Sequence, residues 1–487
     1  MKNFAKLLVM ALAVTLIASM FAIGVSAAAK TPADADPNTL KPGSDKVIFI
    51  KDAARDPITG AMIGKVEGDG SGTSPENPLQ PKDHPLFDAT ANNPAYYYQT
   101  ALYQATEQLK NTGGTIVLVG PCTFGFNESY GGATSSNRDV KTAEFKNNVI
   151  KFTSVYNGVD YRETADAKLI LDANAHLAIH GSSIWDDITV VTGAKDRMFW
   201  FDYYATYIGE GFKVTPEDEN QIGVPDHYLS LSMGHRYQQS SGENPVLVVK
   251  GGSFNNIWGA KWGDVSNYPV KNCNVRIFLE GEKTTVYGIV SGSCTATNGK
   301  LEFSGKVSIT INGGTYMGDI FGVGPTGMSK TDGVVNITIN DGVFKDLFSI
   351  SEAQPEHTNN APAVSVLDLS GFKGEKLQMA YLLAVKETFK EVKLPAGVTE
   401  QELADLLAAV PPETEPETDA PVTDAPVTTP KPTTTPKPTA TPAPTTTPDA
   451  DEGGEFPIAI VIIAAVAVVA IAAVVVVVVL KKKKAAK

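Results

Sequence analysis

The sequence predicts an all-β solenoid, a stack of coils burying one continuous core, and three observations predict it. First, four segments between Val246 and Ser349 share one design: an alternating apolar strand, a glycine turn, an aromatic residue, then an aliphatic, an aromatic and a small residue. In single-letter code they read VLVVKGGSFNNIWG from Val246, VRIFLEGEKTTVYG from Val275, VSITINGGTYMGDIFG from Val307 and VNITINDGVFKDLFS from Val335. Second, aligning the turn glycines Gly252, Gly281, Gly314 and Gly342 gives separations of 29, 33 and 28 residues, a period that marks solenoids. Third, each segment carries an apolar stripe it cannot bury alone. Val307, Ile309 and Ile311 alternate with Ser308, Thr310 and Asn312, so the stripe is covered only when neighbours stack.

The elements follow in order. Lys2 and Lys6, an apolar run from Leu7 to Val25 and the small residues of Val25-Ser26-Ala27 make residues 1–29 a secretory signal, expected to be cleaved near Ala27. Residues 30–124 are expected to form an N-terminal strand and capping region. Val47 to Lys51 is a strand, and the turn-rich run from Gly68 to Pro78 follows it. From Tyr97 to Lys110 the apolar Ala101, Leu102, Ala105 and Leu109 recur at helical spacing, until Gly113-Gly114 ends the helix and Thr115 to Val119 resumes as strand. Coils are expected over residues 125–372, where Leu169, Leu171, Leu177, Ile179, Ile188 and Val190 alternate before an aromatic-rich stretch from Phe199 to Tyr207. Val364 to Leu369 is the last strand. Glu375 to Phe389 and Thr399 to Ala409 are helices, forming a C-terminal helical cap over residues 373–410. Solenoids need such end pieces to cover their terminal coils.

The phrase GDGSGTSPENP from Gly68, the helix after it and GGTIVLVGPCTF from Gly113 resemble the opening of right-handed parallel β-helix proteins of the pectin lyase-like superfamily. With the repeat from Val246 to Ser349, the resemblance covers about a third of the chain. It implies a right-handed parallel β-helix with helical caps. It also implies, as the enzymatic alternative, a polysaccharide lyase or glycoside hydrolase; fold alone does not decide activity. The coils here reach 33 residues, longer than the shortest of that superfamily, so side loops must project, and such loops are where binding surfaces sit.

Beyond the caps, residues 411–450 hold twelve prolines and thirteen threonines, a composition that forms no packed core. Residues 411–456 are therefore a disordered, extended stalk. Residues 457–480 carry no charge, and as a helix rising ~1.5 Å per residue they exceed the ~30 Å hydrocarbon core of a bilayer. They are expected to form one transmembrane helix, with Lys481 to Lys484 holding the tail, residues 481–487, in the cytoplasm. This layout predicts a single-pass protein of the cell membrane with an extracellular body, in an envelope of Gram-positive type.

Between residues 30 and 456 stand 34 basic and 54 acidic residues, a net of −20. Nothing there supplies the basic footprint that nucleic acid requires. The expected partners are an extracellular polysaccharide or a host or neighbouring cell surface, with the membrane engaged through the C-terminal helix. No cofactor is implied by any motif. An acidic surface tolerates divalent cations, and calcium is left open. Cys122, Cys273 and Cys294 are too few for a stapled scaffold; Cys273 and Cys294 either pair across successive coils or are buried thiols.

The candidate catalytic residues are Asp226, His227, His235 and Arg236, in two clusters flanking Leu229 to Met233. A histidine moves protons near neutral pH and an arginine grips a carboxylated sugar, so this region gathers what a uronate site requires. The candidate substrate-binding residues are Trp258, Trp262, Tyr268 and the Tyr237 beside that cluster, since sugar rings stack on aromatic platforms. Trp258, Tyr287, Phe321 and Phe348 take one repeat position and predict an aromatic ladder, facing either the core or the outside. Outward Ser308, Thr310, Asn312, Asn336, Thr338 and Asn340 predict neutral side-chain rows along the stack. Asp332, Asp341 and Asp346 lie at turns, where aspartates usually bond their own backbone. His176 and His180 fall in strand-like sequence, about 13 Å apart and unsuited to one metal. The function these features favour is a membrane-anchored surface adhesin or glycan-binding protein, with the enzyme and a structural surface-layer component as alternatives.

Overall fold

The computed structural model describes residues 30–52, 68–82, 85–86, 96–124, 139–171, 176–234, 240–261, 270–293, 303–324, 333–345, 349–353 and 362–409. The signal, stalk and apolar tail read from the sequence lie outside these residues. Among those described, no helix is long and apolar enough to cross a membrane.

The architecture is predominantly β, and among the described residues every strand pairing but one is parallel, in an arrangement compatible with a β-helix solenoid. The chain visits three faces in turn. Strands Val47–Ile50, Gly114–Leu118, Lys146–Thr153, Gly181–Trp185 and Thr206–Ile208 open the first face, each paired with the next. Cys122–Phe124, Leu169–Leu171, Thr189–Thr192 and Lys213–Pro216 form the second. Asp139–Lys141, His176–Ala178, Met198–Trp200 and Leu229–Gly234 begin the third. From Val246–Lys261 onward the strands lengthen and bend across faces. The start of that strand pairs with Thr206–Ile208 on the first face, and its end pairs with Leu229–Gly234 on the third.

Parallel register turns the sequence stripes into continuous core rows. On the first face Ile48, Ile116, Phe152, Trp185, Ile208, Val249, Leu279, Ile311 and Ile339 stack one above the next, none more than 2 % exposed. Burying each such side chain contributes roughly 1.5–3 kcal/mol, so the row is a principal source of stability. Phe152 and Trp185 lie face to face, with ring centroids 4.1 Å apart. The alternating Leu169, Leu171, Leu177, Ile179, Ile188 and Val190 all point into the same core, as their spacing predicts.

The register corrects the alignment of the four repeats. Gly252 stacks on Thr284, not on Gly281, because a bulge between Val249 and Gly251 shifts the pairing. Thr285 then meets Thr315 and Thr315 meets Val343, so the coils advance by 32, 30 and 28 residues at this corner. Gly252, Gly314 and Gly342 have φ of +103°, +97° and +139°, which explains their glycines. Gly281 is glycine for another reason: a Cβ there would sit 1.7 Å from the Lys250 carbonyl oxygen of the coil below.

Both ends of the stack are closed. A sheet edge leaves unpaired backbone groups that invite aggregation. At the start, the Gly68 to Pro78 turn supplies partners to the first strand: Phe49 N donates to Gly72 O at 2.9 Å and Leu79 N to Phe49 O at 2.7 Å. The helix Ala101–Leu109, capped by Thr100 Oγ1 accepting from Tyr103 N, buries Ala101, Leu102, Ala105 and Leu109. At the far end, Glu391–Lys393 pairs with the last coil strand, Val364–Asp368. The helices Lys376–Ala384 and Glu400–Ala408 bury Met379, Ala380, Leu382 and Leu403 there. The first of these stops five residues short of the expected Phe389. Its following residues leave the helix to pair with the edge at Ile350, whose N donates to Val385 O and whose O accepts from Glu387 N.

A strap crosses the outside of the first face. Residues 30–46 begin beside Glu243 and Tyr203, lay the Pro37–Thr39 turn against Val246–Lys261 and Thr206–Ile208, and end where Gly43 N donates to Val149 O.

Candidate functional site

The strap covers the early coils of the first face, and no described residue crosses over the later ones. There the outward positions alternate with the buried Ile277, Ile309 and Ile337. Phe278, Thr310 and Thr338 form one row, and Ser308 and Asn336 belong to the next. All are partly or fully exposed. Asn340 Nδ2 donates to Asn312 Oδ1 at 2.8 Å, making the side-chain ladder that alternation predicts. Adjacent rungs stand ~4.8 Å apart, so these rows present a regular grid of neutral hydroxyls and carboxamides.

On the third face the aromatic ladder differs from the expected one. Opposite the core row of Ile257, Val290, Ile320 and Ile350, the outer column reads Ala178, Trp200, Ser232, Trp258, Ser291, Phe321 and Ser351. Bulky rings therefore alternate with small residues. Tyr287 does not belong to this column. It stacks instead on Tyr228, with ring centroids 4.6 Å apart, and burial pushes its hydroxyl up to about 12. Phe348 lies outside the described residues. Trp258 is 6 % and Phe321 2 % exposed, and the buried Trp258 indole N–H meets no hydrogen-bond partner among the described residues. Trp258 thus faces away from the core and yet offers little ring surface to a sugar.

Of the candidate catalytic residues, Asp226 and His227 are described. They sit in the 3-10 turn Pro225–His227, started by a proline whose fixed φ suits the first helical position. Lys195 Nζ lies 2.7 Å from Asp226 Oδ2, while His227 Nε2 stands 3.8 Å from Asp226 Oδ1, beyond hydrogen-bond reach. The Lys195 ammonium is raised, first by the hydrogen bond to Asp226 and then by its charge. The buried strand Leu229–Gly234 then runs across the third face, and its extended length separates its ends by about 17 Å. His235, Arg236 and Tyr237 follow it and lie outside the described residues, as do Trp262 and Tyr268. The strands entering and leaving these segments are stacked, Gly234 on Lys261 and Ser240 on Val270.

The remaining predicted groups are structural. Asp341 Oδ1 accepts from Gly342 N at 2.8 Å, the turn role expected of it; Asp332 and Asp346 lie outside the described residues. His176 stacks on Trp200, ring centroids 5.0 Å apart. Cys122 and Cys273 are buried, and burial pushes the Cys122 thiol well up; Cys294 lies outside the described residues. Among the described residues no group of three or more metal-ligating side chains converges.

One polar cluster went unread in the sequence. Asp202 Oδ1 lies 2.8 Å from Lys30 Nζ, and Asp202 Oδ2 3.1 Å from His180 Nδ1. Asp202 is 4 % exposed. Burial pushes its carboxyl up, but the His180 hydrogen bond and the Lys30 charge outweigh it and hold the group below the usual carboxylate range. Lys30 and Asp202 are 172 residues apart, and only the strap brings them together.

Comparison with protein-family models, with curated proteins and with solved structures gave no match.

Proposed function

We propose that this chain is a membrane-anchored, extracellular right-handed β-helix of pectin lyase-like type that binds neutral glycan, acting as a surface adhesin. The observation that carries this reading is the open part of the first face, where Ser308, Thr310, Asn336 and Thr338 repeat hydroxyl and carboxamide groups from rung to rung beside the half-buried Phe278. Such groups exchange hydrogen bonds with sugar hydroxyls, and the ring offers an apolar platform. The net charge of −20 between residues 30 and 456 disfavours polyanionic glycans and favours neutral ones. The secretory signal, the stalk and the apolar segment before Lys481 support display outside the cell.

The full chain in detergent, applied to an array of neutral polysaccharides, tests this. Retention of a glycan without product release is expected, weakened about fivefold or more by Thr310→Ala combined with Asn336→Ala, which removes about two hydrogen bonds at ~0.5–1.5 kcal/mol each. New reducing ends or unsaturated uronates would transfer the assignment to a hydrolase or lyase. Retention unchanged by the double substitution would move the binding surface off this face.

A further inference from the structure

We propose that the Ala29–Lys30 peptide bond is the processing site at which the exported chain is cut, and that the α-ammonium group released on Lys30 docks on the carboxylate of Glu243. The inference rests on the export reading above and extends it, fixing the cut and giving the new terminus a structural role.

The strap is anchored from its first described residue. Lys30 N lies 2.7 Å from Glu243 Oε2, positioned to donate, and Lys30 Nζ lies 2.8 Å from Asp202 Oδ1. Thr31 is fully buried; its Oγ1 donates to Tyr203 O at 2.9 Å, and its carbonyl accepts from Asn244 Nδ2 at 3.0 Å. Main chain and side chain of Lys30 are thus each met by a carboxylate.

Charge balance points the same way. Among the described residues the carboxylates of Asp202 and Glu243 flank the Lys30 ammonium, and His180 meets Asp202 from its other oxygen. Burial pushes the Glu243 carboxyl up, and the Lys30 N–H and charge only partly offset this, while Asp202 adds to it. A peptide N–H brings one neutral donor to Glu243. An α-ammonium at the same atom brings three donors and a positive charge, and charge-assisted bonds are roughly twice as strong as neutral ones.

The sequence permits the cut. A signal peptidase needs small residues one and three positions before the scissile bond, and Ala27-Ala28-Ala29 supplies them as well as Val25-Ser26-Ala27 does. Cutting after Ala27 would leave two more residues and carry the ammonium up to ~7 Å from the position that Lys30 N holds beside Glu243. In the proposed hydrolysis, water adds across the Ala29–Lys30 amide and the C–N bond breaks. The carboxylate stays on Ala29 with the signal, and the amine left on Lys30 takes up a proton below pH ~8.

The full chain recovered from membranes of producing cells, sequenced from its N-terminus, tests the inference. A terminus at Lys30 is expected. A terminus at Ala28 would overturn the inference while leaving export intact, and a chain retaining Met1 would overturn both. Thermal melting then tests the docking. Glu243→Gln is expected to lower the melting temperature of the chain starting at Lys30 by about 2 °C more than that of a chain produced to start at Ala28. Equal shifts in the two would overturn the docked ammonium.

Discussion

At Asp202 burial and pairing oppose each other, and pairing wins. Its backbone φ of +47° is tolerable for aspartate, which visits the left-handed region more readily than most residues. The side chain then falls between Lys30 and His180. Because the folded carboxyl titrates below its unfolded value, its stabilisation is present above the unfolded pKa and is lost as pH falls through the folded one. Asp202→Asn is expected to cost about 1–3 kcal/mol at pH 7 by chemical denaturation, a deficit that narrows as pH drops below about 4. An equal deficit at pH 7 and pH 2.5 would show that the charge does not matter. Nothing local in the sequence announces this cluster. His180 is visible there only as a strand residue near His176, since its partner is assigned by how the chain folds back.

Within single coils, alternation is legible and register is not. The stripe of Val307, Ile309 and Ile311 needs only a period of two, and all three are buried. Which residue lies above which depends on bulges, and so Gly281 aligns by type with the turn glycines but not in space. This separates two kinds of substitution. Gly281→Ala must push the coil away from the Lys250 carbonyl, and a cost of about 3 kcal/mol or more is expected, read as a lowered denaturation midpoint. Ile309→Ala, in the core row, is expected to cost about 2–5 kcal/mol, whereas Ser308→Ala, one residue away and outward, should change stability by less than about 0.5 kcal/mol. Similar losses for Ile309→Ala and Ser308→Ala would contradict the assigned faces. The neutral outer rows were legible for the same reason as the stripe. The shielding of Trp258 was not, because burial on an outward side is decided by what lies over it.

Among the described residues the coils form a stack in which each contacts its neighbours, so stability depends on how the ends are covered. The opening cap was readable because the Gly68 to Pro78 turn and the helix after it have strong local chemistry. The length of the helix after Glu375 was not, since a sheet edge competes for its last residues. Removing residues 376–409 would uncover the Val364–Asp368 edge, the Ile350 edge and the apolar end of the core. Such a chain is expected to form aggregates detectable by light scattering while keeping a strand-type circular dichroism spectrum. A monodisperse truncated chain would mean that the helices do not serve as a cap. The two halves of the expected catalytic cluster were close in sequence, and the strand between them was readable; its length separates Leu229 from Gly234 by about 17 Å, while His235 and Arg236 lie outside the described residues.

The alternation of rings and small residues on the third face bears on how such a chain can change in length. Trp200, Trp258 and Phe321 recur every second coil, with Ser232, Ser291 and Ser351 between and beyond them. Loss or gain of one coil would set two bulky rings against each other at ~4.8 Å, or leave two serines with a void between them. Loss or gain of a pair restores the pattern. On this face the packing repeats by the double coil, so an engineered chain that gains or loses two coils is expected to keep its melting temperature better than one that gains or loses a single coil.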